Sequence, residues 1–143
     1  IGFARRSTIG ADSARLNMIL AVLERKAGVS LINQDVYVNI VGGLRPEGTS
    51  TDLAVALAVY SSFKGVAGDN GTLAIGEIGL TGDLRNVQNC DKIIREAARM
   101  GFGKIIMPAG NLSRLKAKGE MPTGIKVQGA RNLRDAISLY FSL

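Results

Sequence analysis

The stretch from Leu53 to Phe63 leaves this chain few ways to fold. It is apolar almost all the way round a helix. Leu53, Ala56, Leu57 and Tyr60 make one stripe, and Val55, Ala58 and Val59 fill most of the rest. A helix apolar on every side belongs in an interior, so a central buried helix is expected, with the other elements packed around it. Thr49, Ser50, Thr51 and Asp52 stand at its start, where side-chain oxygens can accept from free N–H groups. Gly42, Gly43, Pro46 and Gly48 before them predict a flexible polar turn. A hydroxyl held at the mouth of such a helix can also be a nucleophile, which makes Ser50 the first functional candidate.

The remaining elements follow from periodicity. Ile1–Gly10 is extended. Asp12 or Ser13 caps a helix with Leu16, Ile19, Leu20, Leu23 and Ala27 inward, ended by Gly28. Asp35–Val41 alternates, with Val36, Val38 and Ile40 on one face, and predicts a strand. After the apolar helix, Thr72–Ile78 predicts one strand and Gly82–Val87 the next, joined as a hairpin. A helix from Asp91 to Met100, a short strand from Lys104 to Met107, one or two helical turns over Asn111–Lys118, a strand at Ile125–Val127 and a helix over Arg131–Phe141 complete the chain. Glu77, in mid-strand, is either a paired buried acid or an edge residue. Helices and strands that alternate apart from one hairpin predict a single α/β domain over residues 1–143 with a mixed sheet.

Composition narrows the function. At 143 residues, 46% hydrophobic and 21% charged, the chain is long enough for a real core. No apolar run is long enough to span a bilayer, and the first ten residues lack a secretion signal's apolar core. The chain begins at Ile1 without an initiator Met, so a piece of a longer polypeptide is expected. A lone cysteine, Cys90, fits a reducing cytoplasm and a small buried side chain. There is no histidine, which removes a Ser-His-Asp triad, a Cys-His pair and nearly every zinc site. Lysine is then the one base able to serve near neutral pH, and only if buried. Net charge is +6, and Leu84–Lys118 holds all of that excess, with eight basic residues against two acids. Such a region favours a polyanion.

The wording of the elements resembles the proteolytic domain of the Lon family. GEIGLTGDLRNV, a helix and KIIMP are similar to the segment that carries the Lon catalytic lysine, and EGTSTDLAVALAV to the segment that carries its serine. Where that family has Asp-Gly-Pro-Ser-Ala-Gly, this chain has Glu47, Gly48, Thr49, Ser50, Thr51 and Asp52. The lysine position falls on Asp91. The next residue, Lys92, is turned by about 100° on a helix. Nearly the whole chain is closer still to the Lon-like C-terminal domain of the RadA (Sms) family of bacterial DNA-repair proteins. ARRSTIGADSARLNMILAVLERKAG, INQDVYVNIVGG and REAARMGF carry that likeness.

The resemblance implies a fold like the second domain of ribosomal protein S5. It also implies a parent ATPase that acts on branched DNA in recombination, forms a hexameric ring and works with a recombinase partner. ATP and zinc belong to the parent's N-terminal part: this chain has neither a phosphate loop nor paired C-x-x-C motifs. No cofactor is expected here. A serine–lysine dyad needs an amine beside the hydroxyl. With Asp91 at the amine's position and Asp52 where an oxyanion would need donors, Ser50 and Asp91 are degenerate site positions suited to capping. The expectation is a non-proteolytic scaffold with a basic DNA-binding surface. The alternative is a working Ser-Lys peptidase. Candidate phosphate contacts are Arg5, Arg6, Arg15, Arg25, Lys26, Arg85, Lys92, Arg95 and Arg99. With aromatics at 5% and no Trp, backbone contact without base stacking is expected.

Overall fold

A computed structural model of the chain describes residues 4–10, 12–39 and 48–142. The predicted turn at Gly42–Gly48, except Gly48, and the ends of the first two predicted strands lie outside those residues.

Strand β1 (Arg6–Ile9) leads to helix α1 (Ser13–Ala27). The Asp12 carboxylate accepts from the Arg15 N–H at 3.1 Å and caps α1. Gly28, at φ 68°, closes it in a left-handed conformation that glycine adopts without strain. Leu16, Ile19, Leu20, Val22 and Leu23 turn inward. Strand β2 (Val36–Asn39) runs parallel to β1, with Arg6 opposite Val36 and Ile9 opposite Asn39. Then come α2 (Asp52–Lys64), β3 (Thr72–Ala74), β4 (Glu77–Ile78), β5 (Leu84–Arg85), α3 (Cys90–Arg99), β6 (Lys104–Pro108), α4 (Ala109–Lys118), β7 (Lys126–Ala130) and α5 (Leu133–Phe141).

The centre is the parallel sheet β3-β6-β7. On strand β6 successive residues point to opposite faces. Ile106 joins the core of α1, α2 and α5, whereas Ile105 and Met107 join that of α3 and α4. Helices therefore cover both faces, as a parallel sheet requires.

Three expectations need correction. One mixed sheet was expected. Among the described residues there are instead three small sheets: the parallel pair β1-β2, the three-stranded sheet and the antiparallel hairpin β4-β5. The predicted strand over Thr72–Ile78 is interrupted at Gly76. There the backbone leaves the sheet for the start of α2: Gly76 N–H donates to the Ser50 carbonyl at 3.0 Å and its carbonyl accepts from Leu53 N–H at 3.1 Å. That bond satisfies one of the orphan donors of the helix. Finally, α2 is not buried all round. Leu53, Ala56 and Leu57 are inside, but Ala54 and Ala58 face solvent and Phe63 is 39% exposed. Helices α1, α2 and α5 lie in one layer, so each keeps an outer side.

Candidate nucleic-acid interface

The expected serine site is built at the start of α2. Thr51 is the N-cap but makes no side-chain cap bond. Asp52 instead sends its carboxylate sideways. It is 2% exposed, accepts from the Ile78 N–H at 3.0 Å and is clamped by the Arg15 guanidinium. Arg15 also donates to the Ile78 carbonyl at 3.3 Å. The hydrogen bond to Asp52 holds the guanidinium pKa above its ordinary value. A cavity of about 140 Å³ lies over this pair, lined by Asp12, Arg15, Thr51, Asp52 and Val55. Its polar floor is an internally neutralised ion pair, and the carboxylate takes up a backbone donor beside the serine turn. Glu77 stands half-exposed opposite Arg85 in the β4–β5 hairpin, which settles it as an edge acid.

Asp91 lies elsewhere. It sits in the first turn of α3, where a carboxylate suits the helix dipole, and pairs with Arg95 at 3.5 Å in solvent. It is not the cap: Asn89, at φ 57°, holds that place. Asp91 lines a groove between the start of α3 and α4 together with Asn86, Asn111, Arg114, Lys118 and Glu120. The groove is anchored by Asn111, 3% exposed, which accepts from the Val87 N–H at 2.9 Å and donates to the Val87 carbonyl at 3.0 Å. Cys90 is buried against Met107, and burial pushes its thiol up to about 11. Such a thiol is inert.

The nine candidate cations separate once folded. The Arg6 guanidinium donates to the carbonyls of Leu31 and Gln34, and Arg15 is committed to Asp52. Both are structural side chains. Arg5 is exposed beside Asp35, which accepts from its backbone N–H at 2.8 Å. Arg25 and Lys26 end α1 in the layer of α2 and α5. Arg85 pairs with Asp83 at 3.2 Å. Lys92, Arg95 and Arg99, spaced three and four apart, share the outer side of α3. Arg114, Lys116 and Lys118 are exposed on α4, which packs on the same sheet face. Sequence reasoning counted those three in the charge excess without naming them as contacts; the helical phase of α4 was the signal. It also missed Arg134, whose Nε donates to the Lys26 carbonyl at 2.7 Å and so joins the start of α5 to the end of α1.

Among the described residues no group of three or more His, Cys, Asp or Glu could hold a metal ion, and no helix is long and apolar enough to cross a membrane. Residues 6–111 match the family model described as subunit ChlI of Mg-chelatase. The chain belongs to the ChlI family. Within the curated proteins this ChlI-family chain is similar to "DNA repair protein RadA" of Mycolicibacterium smegmatis, 43% identical over 95% of the chain and 28% of that protein. It is similar also to the RadA proteins of Halalkalibacterium halodurans, 38% identical over 96% of the chain and 29% of that protein, and of Escherichia coli, 38% identical over 97% and 29%. The chain thus spans less than a third of the length of these relatives.

Proposed function

We propose that this chain is the non-proteolytic Lon-like domain of a RadA-type DNA-repair ATPase, with a fold like the second domain of ribosomal protein S5. It serves as a scaffold for self-association and as a phosphate-binding surface for DNA. One observation carries the DNA contact. Helices α3 and α4 lie side by side on one face of the central sheet and turn Lys92, Arg95, Arg99, Arg114, Lys116 and Lys118 outward. Asp91, Glu96 and Glu120 are the acids among them, so the face keeps a positive excess. Arg5, Arg25, Lys26 and Arg85 are secondary contacts outside that face, and Arg6 and Arg15, bonded to acceptors of the chain itself, are left out of the proposed surface.

The loss of proteolysis follows from the same residues. Asp91 supplies no amine, and the Asp52 carboxylate consumes the Ile78 donor next to Ser50. ATP, zinc, the hexameric ring and a recombinase partner belong to the longer protein. The DNA-repair name of relatives that match 95–97% of the chain supports this reading over one drawn from the chelatase name of the family model.

The test is fluorescence anisotropy with a labelled duplex over a salt series. The chain should bind weakly and without sequence preference. Replacing Arg95, Arg99 and Arg114 by Ala should lower the salt slope by about 3, near 0.9 per lost phosphate contact. An unchanged affinity and slope in that triple variant would refute the assignment.

A further inference from the structure

The groove between the start of α3 and α4 is more than a stretch of basic surface. It encloses about 480 Å³, within the range of small-molecule sites, about 300–1,000 Å³. Asn111, Arg114, Leu115 and Lys118, three or four residues apart, form one wall along α4. Residues 86–91 form the other. The two bonds between Asn111 and the Val87 backbone hold the walls together, and the Asn86 amide lies over Gly110 in space that a larger residue would take. Both walls belong to the continuous described stretch 48–142. The polar groups of this groove are unspent. Arg85, Arg95, Arg99 and Arg131 each hold an acid, but Arg114 and Lys118 hold none among the described residues. There the side chains of Asn86, Gln88, Asn89 and Glu120 make no hydrogen bond either. Asn89 is the clearest case. An N-cap asparagine ordinarily accepts from the helix it starts. At φ 57° the Asn89 amide makes no such bond and lines the groove instead. Charge is balanced as well, because the two cations share the groove with Asp91 and Glu120. A bare phosphate would bring those carboxylates nothing. A nucleotide brings both an anion and a base edge of donors and acceptors.

We propose that this groove holds one unpaired nucleotide of a DNA strand whose backbone lies on α3 and α4. The proposal rests on the phosphate-binding reading of that face and names what enters its groove. Arg114 and Lys118 hold the phosphate. The amides of Asn86, Gln88 and Asn89, each both donor and acceptor, meet the base edge. Asp91 already holds Arg95, so Glu120 is the carboxylate that accepts from an exocyclic amine of the base. Cytosine and adenine carry that amine, whereas thymine presents a carbonyl in its place. The groove has no aromatic residue, so the base is read by its edge, and the planar Arg114 guanidinium is the group able to cover its face. In a duplex the same edge is engaged by the partner base, which confines the selection to unpaired strands.

The test is fluorescence anisotropy with labelled twelve-nucleotide strands at slightly alkaline pH, where cytosine is neutral. Oligo-dC and oligo-dA should bind about tenfold more tightly than oligo-dT. Backbone contact alone gives no reason to separate the two pyrimidines. Combining Gln88→Ala with Asn89→Gly, a glycine that keeps the left-handed backbone without strain, should abolish the preference and leave duplex affinity and the far-UV circular dichroism spectrum unchanged. Glu120→Ala should bring oligo-dC down to the level of oligo-dT. Free dCMP carries the same chemistry without the strand and should displace labelled oligo-dC only at concentrations far above those of unlabelled oligo-dC. Equal binding of oligo-dC and oligo-dT by the unaltered chain overturns the proposal, as does a preference that survives both variants. Displacement by dCMP at the concentration where unlabelled oligo-dC acts would assign the groove to a free nucleotide and overturn it too. A chain that binds duplex with the expected salt slope but does not separate the strands defeats the groove alone, whereas a chain that binds no DNA defeats the phosphate-binding reading with it.

Discussion

Asp52 is the residue on which the serine turn rests, and removing its carboxylate has a calculable cost. Asp52→Ala strands the buried Ile78 N–H, which costs about 1–3 kcal/mol. It also leaves Arg15 unpaired. Breaking a fully buried pair costs about 3–5 kcal/mol, but the Arg15 side chain is 32% exposed and water recovers part of that. A net loss of about 3 kcal/mol is expected. At about 3 °C per kcal/mol for a domain of this size, Tm should fall by about 9 °C. Asp52→Asn keeps an acceptor for Ile78 and should lose about 1–2 kcal/mol. Combining Arg15→Met with Asp52→Leu removes both charges together and should cost less than Asp52→Ala alone. The assay is urea unfolding followed by far-UV circular dichroism, because the chain has no Trp to report by fluorescence. A loss below about 1 kcal/mol for Asp52→Ala, smaller than even the stranded N–H and broken pair allow, would refute the reasoning. So would a double variant that proves the least stable of the set.

Other outcomes follow from the same structure. Asn111→Ala orphans both Val87 backbone groups and should destabilise the domain by about 2–3 kcal/mol, measurable in the same urea assay. Asp83 is held below its ordinary 3.8, first by the Thr81 hydroxyl and then by Arg85, and Asp135 likewise by the Arg131 N–H and guanidinium. A carboxylate whose folded value lies below its unfolded one adds stability above the unfolded value and loses it as pH falls through the folded value. Urea midpoints should therefore be flat above about pH 5 and decline below about 4; a rise on acidification would contradict this. Cys90, pushed up to about 11, should react with a disulfide reagent at pH 8 more than about a hundredfold slower than a free thiol, and fast labelling of the folded chain would show that it is exposed. A fluorogenic peptide should be cleaved no faster by the chain than by its Ser50→Ala variant, and a difference would restore the peptidase reading.

Local chemistry was legible in the residues. The first helix is bounded by Asp12 and Gly28, and its inward face repeats at three and four. The two adjacent strand patterns announced the hairpin that pairs Glu77 with Arg85. The likeness to RadA proteins was written in contiguous segments. Two features were read less well. The stripe of Leu53, Ala56 and Leu57 marked the inward side of α2, but the otherwise even hydrophobicity of the helix hid the solvent-facing side at Ala54 and Ala58. The split at Gly76 depends on a bond to the start of α2 rather than on any neighbour in sequence.

What the chain determined by itself is therefore what short-range forces decide: the order and approximate place of the helices, the caps of the first one, the absence of histidine and the placement of charge along the polypeptide. Which charges remain available was decided only in the tertiary structure. Arg6, Arg15 and Arg95 look alike in a sequence, but packing brings the carbonyls of Leu31 and Gln34 to the first and Asp52 to the second, and leaves the third in water beside Asp91. A guanidinium is held most firmly by a partner that burial has stripped of solvent, because releasing it would leave that buried charge uncompensated, and burial is a property of contacts between residues far apart in the chain.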